Sequence, residues 1–287
     1  MNGMVRFLAG RRWLSAGLLT AYVVPTILLH KKVARWSIKL EKSVTYPVYD
    51  RAWGLISLAV LAAVLILLAV RLARGSDRGF RAAFLAATFA MIAASHVLFL
   101  AVNLEYIHIL QFSLVVIPLF ALSGRFGETV LWTGILGAVD ELYQYYVVWW
   151  PHQSAFDYND IALDTVGGLF MAACLFLWLD PETIRKAAGL RRPGWKRSPA
   201  LAAAGAVALA ALAANAAGIL DFYPSPARDG LLPEKAAPIL LSKDPRPGPF
   251  WSVFEKGKTY HILTVVEWAA LLAGLAAFAS LPDRRNR

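Results

Sequence analysis

The chain alternates between long apolar blocks and short polar breaks. Apolar stretches occupy about 13–29, 53–73, 82–101, 106–123, 129–149, 160–179, 200–220 and 260–281. A bilayer core about 30 Å thick is crossed by roughly 20 apolar residues in helix. Each block is therefore long enough, or nearly so, for one span. The third and fourth blocks nearly merge, and joined they would make a helix of about 60 Å at 1.5 Å per residue. That is twice the bilayer, so the spacing predicts a break at Asn103-Leu104-Glu105 and a tight helical hairpin. The expected fold is all-α, a polytopic transmembrane helical bundle of about eight spans. It divides into a two-span segment 1–75, a four-helix core 80–180 and a two-span segment 195–287.

Composition agrees with this reading. The 287 residues are 58% hydrophobic, with a mean hydropathy of +0.53, which excludes an ordinary soluble domain. Arg6, Arg11 and Arg12 precede the first block, as in a signal peptide. Its far end, Leu28-Leu29-His30-Lys31-Lys32, lacks a small-residue cleavage pattern and predicts a retained span. Cys174 lies within a span and is expected to be a small buried apolar residue.

The net charge of +10 does not indicate nucleic acid, because the basic residues sit in loops rather than in a soluble domain. More of them fall in the two ends and in the loops after the second, fourth and sixth spans than on the other side. That bias predicts an N-in, C-in orientation. The basic stretch 30–52 runs against it. The loop 221–259 holds seven prolines, a density that prevents regular helix or central strand. An irregular outer lobe is expected, with an amphipathic piece near Phe250–Phe254.

Within this apolar background one region is acidic. Asp140-Glu141-Leu142-Tyr143-Gln144 is followed, after a short break, by Asp157-Tyr158-Asn159-Asp160 and by Asp164. A charge in hydrocarbon costs roughly 2.5–3.5 kcal/mol on insertion scales, so such residues need a reason to be there. Asp140 and Gln144 are four apart and share a helix face. Asp157, Asp160 and Asp164 follow a 3, 4 spacing and form one stripe, with Asp157 also placed to cap its helix. The segment around Trp149, Pro151, His152 and Gln153 turns the chain back, so the two helices are antiparallel neighbours. Glu105, His108 and Gln111 share a face of the preceding span. With N-in topology all three sets reach the outer third of the membrane, which predicts a wet, externally open pocket. Close carboxylates repel, and no lysine or arginine inside these spans is available to offset them. Gly167-Gly168 is expected to let helices pack closely, and Glu267 stands apart in the last span.

These residues carry a resemblance. Asp140-Glu141-x-x-Gln144, a short aromatic and proline-containing turn, then Asp160-Ile161-x-x-Asp164-x-x-Gly167 resembles the VanZ-like membrane proteins over about residues 80–180. Glu105-x-x-His108 resembles the family's histidine-bearing first core helix. The family's turn usually holds an arginine; here it holds His152 and Gln153 instead. The resemblance implies an inner-membrane protein of the bacterial cell envelope with a role of the glycopeptide (teicoplanin) resistance type. It does not say whether the protein is an enzyme.

The expected function is then an outward-facing acidic pocket that binds or processes an envelope polymer or a lipid-linked precursor. Asp140, Glu141, Gln144, Asp160, Asp164 and His108 are the candidate reactive groups. Glu105, Gln111, His152, Asp157 and Asn159 are the candidate substrate-binding groups. No cofactor is evident, though a divalent cation on Asp140, Asp160 and Asp164 would suit their hard oxygen ligands. Two other readings stand beside it. One is an accessory protein whose polar groups only bond helices together. The other is a proton- or cation-coupled transporter, which lacks a visible pair of broken helices. Partners beyond the lipid bilayer and the oligomeric state are not indicated.

Overall fold

The computed structural model describes residues 1–74, 77–148, 156–189, 198–221, 239–240, 250–253 and 258–285. Its helices are α1 (Asn2–Gly10), α2 (Arg12–Val44), α3 (Tyr46–Arg74), α4 (Arg78–Leu98), α5 (Tyr106–Ser123), α6 (Phe126–Tyr143), α7 (Tyr158–Trp178), α8 (Pro181–Gly189), α9 (Pro199–Ala216), α10 (Val265–Ala279) and α11 (Leu281–Arg285). The protein is an all-α, multi-pass membrane protein: among the described residues seven helices are long and apolar enough to cross a bilayer, at Arg12–His30, Tyr46–Ala73, Arg78–Leu98, Asn103–Ser123, Tyr158–Trp178, Pro199–Ala216 and Val265–Arg284. The remaining block of the eight is α6. Its 18 residues carry Glu128, Asp140 and Glu141, and these carboxylates set it apart from the others.

α7 is the central helix. It is apolar almost all round, and such a helix is buried on every side. Ile161, Leu163, Leu169, Leu175 and Leu177 are fully enclosed, and α3, α4, α5, α6 and α10 pack around it. Glycine sets how close the neighbours come. A Cβ on Gly167 would run into the backbone of Ile109 on α5, and one on Gly168 would lie 2.8 Å from the Thr133 side chain on α6. The close packing expected of this pair is therefore present. Cys174 is buried. By contrast α2, α3 and α9 expose large apolar side chains such as Leu55, Leu58, Ile66, Val207 and Leu209, the surface that hydrocarbon would cover.

The hairpin between α4 and α5 forms where the sequence breaks. A single 3-10 turn, Asn103–Glu105, joins them. Glu105 Oε2 accepts from the Ala101 and Val102 amides at 2.7 and 3.4 Å. Asn103 is tied to Asp50 at the start of α3, its amide nitrogen donating to Asp50 Oδ2 at 2.8 Å and its backbone N–H to Asp50 Oδ1 at 2.7 Å.

In the proline-rich region the described pieces are short extended pairs rather than a helix. β1 (Leu220–Asp221) runs parallel to β2 (Ile239–Leu240), and β3 (Ser252–Val253) antiparallel to β4 (Thr259–Tyr260). The segment expected to be an amphipathic piece thus contributes a strand where it is described. Glu267 opens α10 in a reciprocal cap with Thr264, with Oε1 3.1 Å from His261 Nε2, so it stands apart from the acidic pocket.

Candidate functional site

α5, α6 and α7 bring the acidic groups to one level around His108. His108 Nδ1 lies 3.0 Å from Asp164 Oδ1, and Nε2 lies 3.7 Å from Asp160 Oδ2. Asp164 is 1% exposed and His108 8%, so the pair is withdrawn from water. One wall of its pocket is a glycine: a Cβ on Gly137 of α6 would come within 2.5 Å of Asp164 Oδ2. Only a residue without a side chain lets that carboxylate lie against α6.

On α6, Asp140 and Glu141 are both 1% exposed and Gln144 5%. Gln144 Nε2 donates to Asp140 Oδ2 at 3.3 Å, as the four-residue spacing predicts. Gln144 begins a π turn, Gln144–Val148, that ends the described part of the helix. Glu141 Oε2 accepts from the Asp157 amide at 3.1 Å and so ties the end of α6 to the start of α7. Asp157 caps α7, accepting from the Asn159 amide at 3.0 Å.

Asp140 Oδ2 also lies 3.7 Å from Nδ1 of His30 on α2. Sequence reasoning did not place His30 in the pocket, because it stands at the end of the first apolar block and carries no motif. Asp140 Oδ1 is buried without a hydrogen-bond partner among the described residues. Buried polar atoms are nearly always satisfied, so this acceptor is open to a donor beyond the described residues.

Other candidates have framework roles. Asn159 donates to the Phe99 and His261 carbonyls at 3.1 and 2.7 Å and accepts from the Leu263 amide at 2.9 Å. It staples α7 to the end of α4 and to the irregular segment between β4 and α10, with its amide group fully engaged. The Gln111 carbonyl accepts from the Tyr22 hydroxyl at 3.0 Å. His152 lies outside the described residues. Among the described residues no group of three His, Cys, Asp or Glu is arranged to hold a metal ion.

Through His108 the cluster borders an open cavity of about 710 Å³ between α2 and α5, also lined by Trp53 of α3. Leu29, Val33, Leu110 and Leu114 supply apolar wall, and Glu105, His108, Gln111 and His30 supply polar groups. The volume falls in the range of ligand sites, about 300–1,000 Å³. The arrangement has the elements of acid–base chemistry: a buried imidazole, a carboxylate fixing one nitrogen, and a second nitrogen near another carboxylate at the edge of a cavity. Comparison with protein-family models, with curated proteins and with solved structures finds no match for the chain.

Proposed function

We propose that the protein is a VanZ-like protein of the bacterial inner membrane, with eight spans and both ends in the cytoplasm. In this reading α6 crosses as the fifth span within a core of residues 80–180. Its acidic pocket opens outward and binds, or acts on, a lipid-linked precursor or polymer of the cell envelope, in a role of the glycopeptide-resistance type. The observation that carries the reading is the His108–Asp164 pair, buried with Asp140 and Glu141, with the partly exposed Asp160 near it, beside a largely apolar cavity. An apolar cavity with a few convergent polar groups is the usual form of a small-molecule site.

Within that site His108 takes or gives the proton. Asp164 holds Nδ1 and leaves Nε2 toward Asp160 and the cavity, the division of labour by which a carboxylate orients an imidazole. Gln144 and His30 position Asp140. A divalent cation in this reading would be held by Asp140, Asp160 and Asp164, whose oxygen ligands suit a hard ion.

The test is teicoplanin susceptibility of a sensitive host expressing wild type or the Asp140→Asn/Glu141→Gln/Asp160→Asn variant at matched membrane levels. Protection by wild type alone is expected. Equal protection by both would reduce the carboxylates to interhelical bonding. No protection by either would remove the envelope role.

A further inference from the structure

The pocket has a second imidazole, and it comes from outside residues 80–180. On α2, Leu19, Tyr22 and Val23 pack on α5 around Phe112 and Leu119, and the Tyr22 hydroxyl donates to the Gln111 carbonyl at 3.0 Å. Eight residues further along, ~12 Å at 1.5 Å per residue, α2 presents His30 to the end of α6. Nδ1 of His30 lies 3.7 Å from Asp140 Oδ2, and α2 also meets the π turn Gln144–Val148 that follows Asp140. A π turn inside a helix is frequent at functional sites. His30 keeps 21% of its side chain exposed, against 1% for Asp140. It lines the cavity from the α2 wall as His108 does from the α5 wall.

Behind the cavity the two imidazoles are connected by carboxylates. Asp140 stands beside His30, and Asp164 beside His108. Asp164 Oδ2 lies against Gly137 of α6. Gly137 and Asp140 are three apart on one face of that helix, a separation of about 5–6 Å, so the two carboxylates are neighbours. The groups form a ring of four: His30 from α2, Asp140 from α6, Asp164 from α7 and His108 from α5, closed by the cavity. Each imidazole has a carboxylate at Nδ1, the arrangement that orients an imidazole for proton transfer. Both rings border the same space.

We propose that His30 is the second acid–base residue of this site and works opposite His108 on one ligand held between the two rings. The inference rests on the reading of the pocket as a reactive site. The neutral ring takes the proton of an attacking hydroxyl while the protonated ring gives its proton to the oxygen that leaves. The bond to the leaving oxygen breaks as the attacking oxygen takes its place. One O–H bond breaks and one forms, no net proton is taken up, and the rings exchange protonation states. Proton exchange with solvent through the open cavity restores them. α2 is then part of the reacting site rather than an added anchor.

Two measurements on the full chain test this. In the first, His30→Asn and His108→Asn are compared with wild type for teicoplanin protection at matched membrane levels. Asparagine keeps an amide nitrogen where Nδ1 stood, so it still holds Asp140, but it does not carry a proton between acid and base. Both variants should lose protection. Added imidazole should restore His30→Gly and leave His30→Asn, whose side chain fills the space, unrestored. Protection retained by His30→Asn, or His30→Gly unmoved by imidazole, would overturn the proposal and leave His30 as a positioning residue for Asp140.

In the second, the His30→Cys/His108→Cys protein in a maltoside micelle is treated with bismaleimidoethane and mapped by peptide. Linkage of the α2 and α5 peptides is expected. Reaction at both positions without linkage would overturn the shared space between the rings. Linkage without protection by wild type would leave the paired rings standing and remove the envelope role. Protection by wild type without linkage would keep that role and take His30 out of it.

Discussion

His108 on α5 and Asp164 on α7 meet at 3.0 Å between helices that touch nearly backbone to backbone at Gly167. Both groups are buried. Removing one partner of a buried ion pair leaves a charge without compensation, at a cost of about 3–5 kcal/mol. His108→Ala is expected to destabilise by about 3 kcal/mol on that ground. Asp164→Asn keeps the shape and is expected to cost less. Because the two share one contact, the double variant should fall short of the sum by about 1–2 kcal/mol. Denaturant unfolding of the four proteins in micelles gives the coupling directly, and additive effects would mean that the two residues do not act as a pair.

How much of this could be read from the sequence depends on the distance over which each relationship acts. The Asp140–Gln144 bond, the Asp157 cap and the break at Asn103–Glu105 are local, set by helical periodicity and capping chemistry. The Gly167–Gly168 approach was also visible, since small residues in an apolar helix have few other uses. His30 was not, because its partner Asp140 lies far along the chain and nothing around it marks the contact. The framework bonds of Asn159 were hidden for the same reason. Its partners, Phe99, His261 and Leu263, come from two other parts of the chain, and a polar residue beside an acidic motif resembles a ligand-binding one. The carboxylates of α6 mark the candidate site in the sequence and also set that helix apart from the seven apolar ones.

Gly167→Ala tests the packing that holds the site. The new methyl group has the Ile109 backbone in its path, and backbone cannot turn aside as a side chain can. Overpacking of this kind costs about 1–3 kcal/mol, and α5 must move away from α7, lengthening the His108–Asp164 contact. Gly274→Ala on α10 is the control. Nothing lies within 4 Å of its added methyl, and alanine is the better helix former, so the change should be neutral or stabilise by up to about 1 kcal/mol. Thermal unfolding of both variants separates a local steric effect from a general intolerance of glycine loss.

Asn159→Ala removes three hydrogen bonds at once and leaves the Phe99 and His261 carbonyls and the Leu263 amide unsatisfied. At about 1 kcal/mol each, the expected loss is about 3 kcal/mol. Asn159→Asp is expected to fare no better, since it keeps the acceptor but turns a carboxylate toward two carbonyl oxygens. Hydrogen exchange should show the loss first in residues 258–264, the segment that Asn159 holds to α7. Protection unchanged there in both variants would exclude the staple.

The N-terminal helix is fastened from outside the membrane core, and its attachment is expected to depend on acid. Arg6 Nε donates to Thr183 Oγ1 at 2.7 Å, and Arg6 Nη2 lies 3.1 Å from Asp180 Oδ2. The Asp180 amide donates to Asn2 Oδ1 at 3.0 Å, and Asp180 Oδ1 accepts from the Thr183 amide at 2.6 Å. Partial burial pushes the Asp180 carboxyl upward, but the Thr183 hydrogen bonds and the Arg6 guanidinium outweigh it and hold it below its ordinary value. A carboxylate held lower in the folded state than in the unfolded one stabilises fully above the unfolded value, near 3.9 for aspartate. That stabilisation is lost as pH falls through the folded value. Hydrogen exchange of α1 should therefore be independent of pH, after correction for intrinsic rates, from neutrality down to about pH 5, and protection should drop below about pH 4. In Asp180→Asn the drop should disappear, with α1 protection at neutral pH already reduced toward the level that wild type reaches in acid, because the Arg6 ion pair is gone. The contact is half exposed, so the effect should be confined to α1 and α8 and leave the core around α7 unchanged. An acid transition that persists in Asp180→Asn would assign it to a different carboxylate.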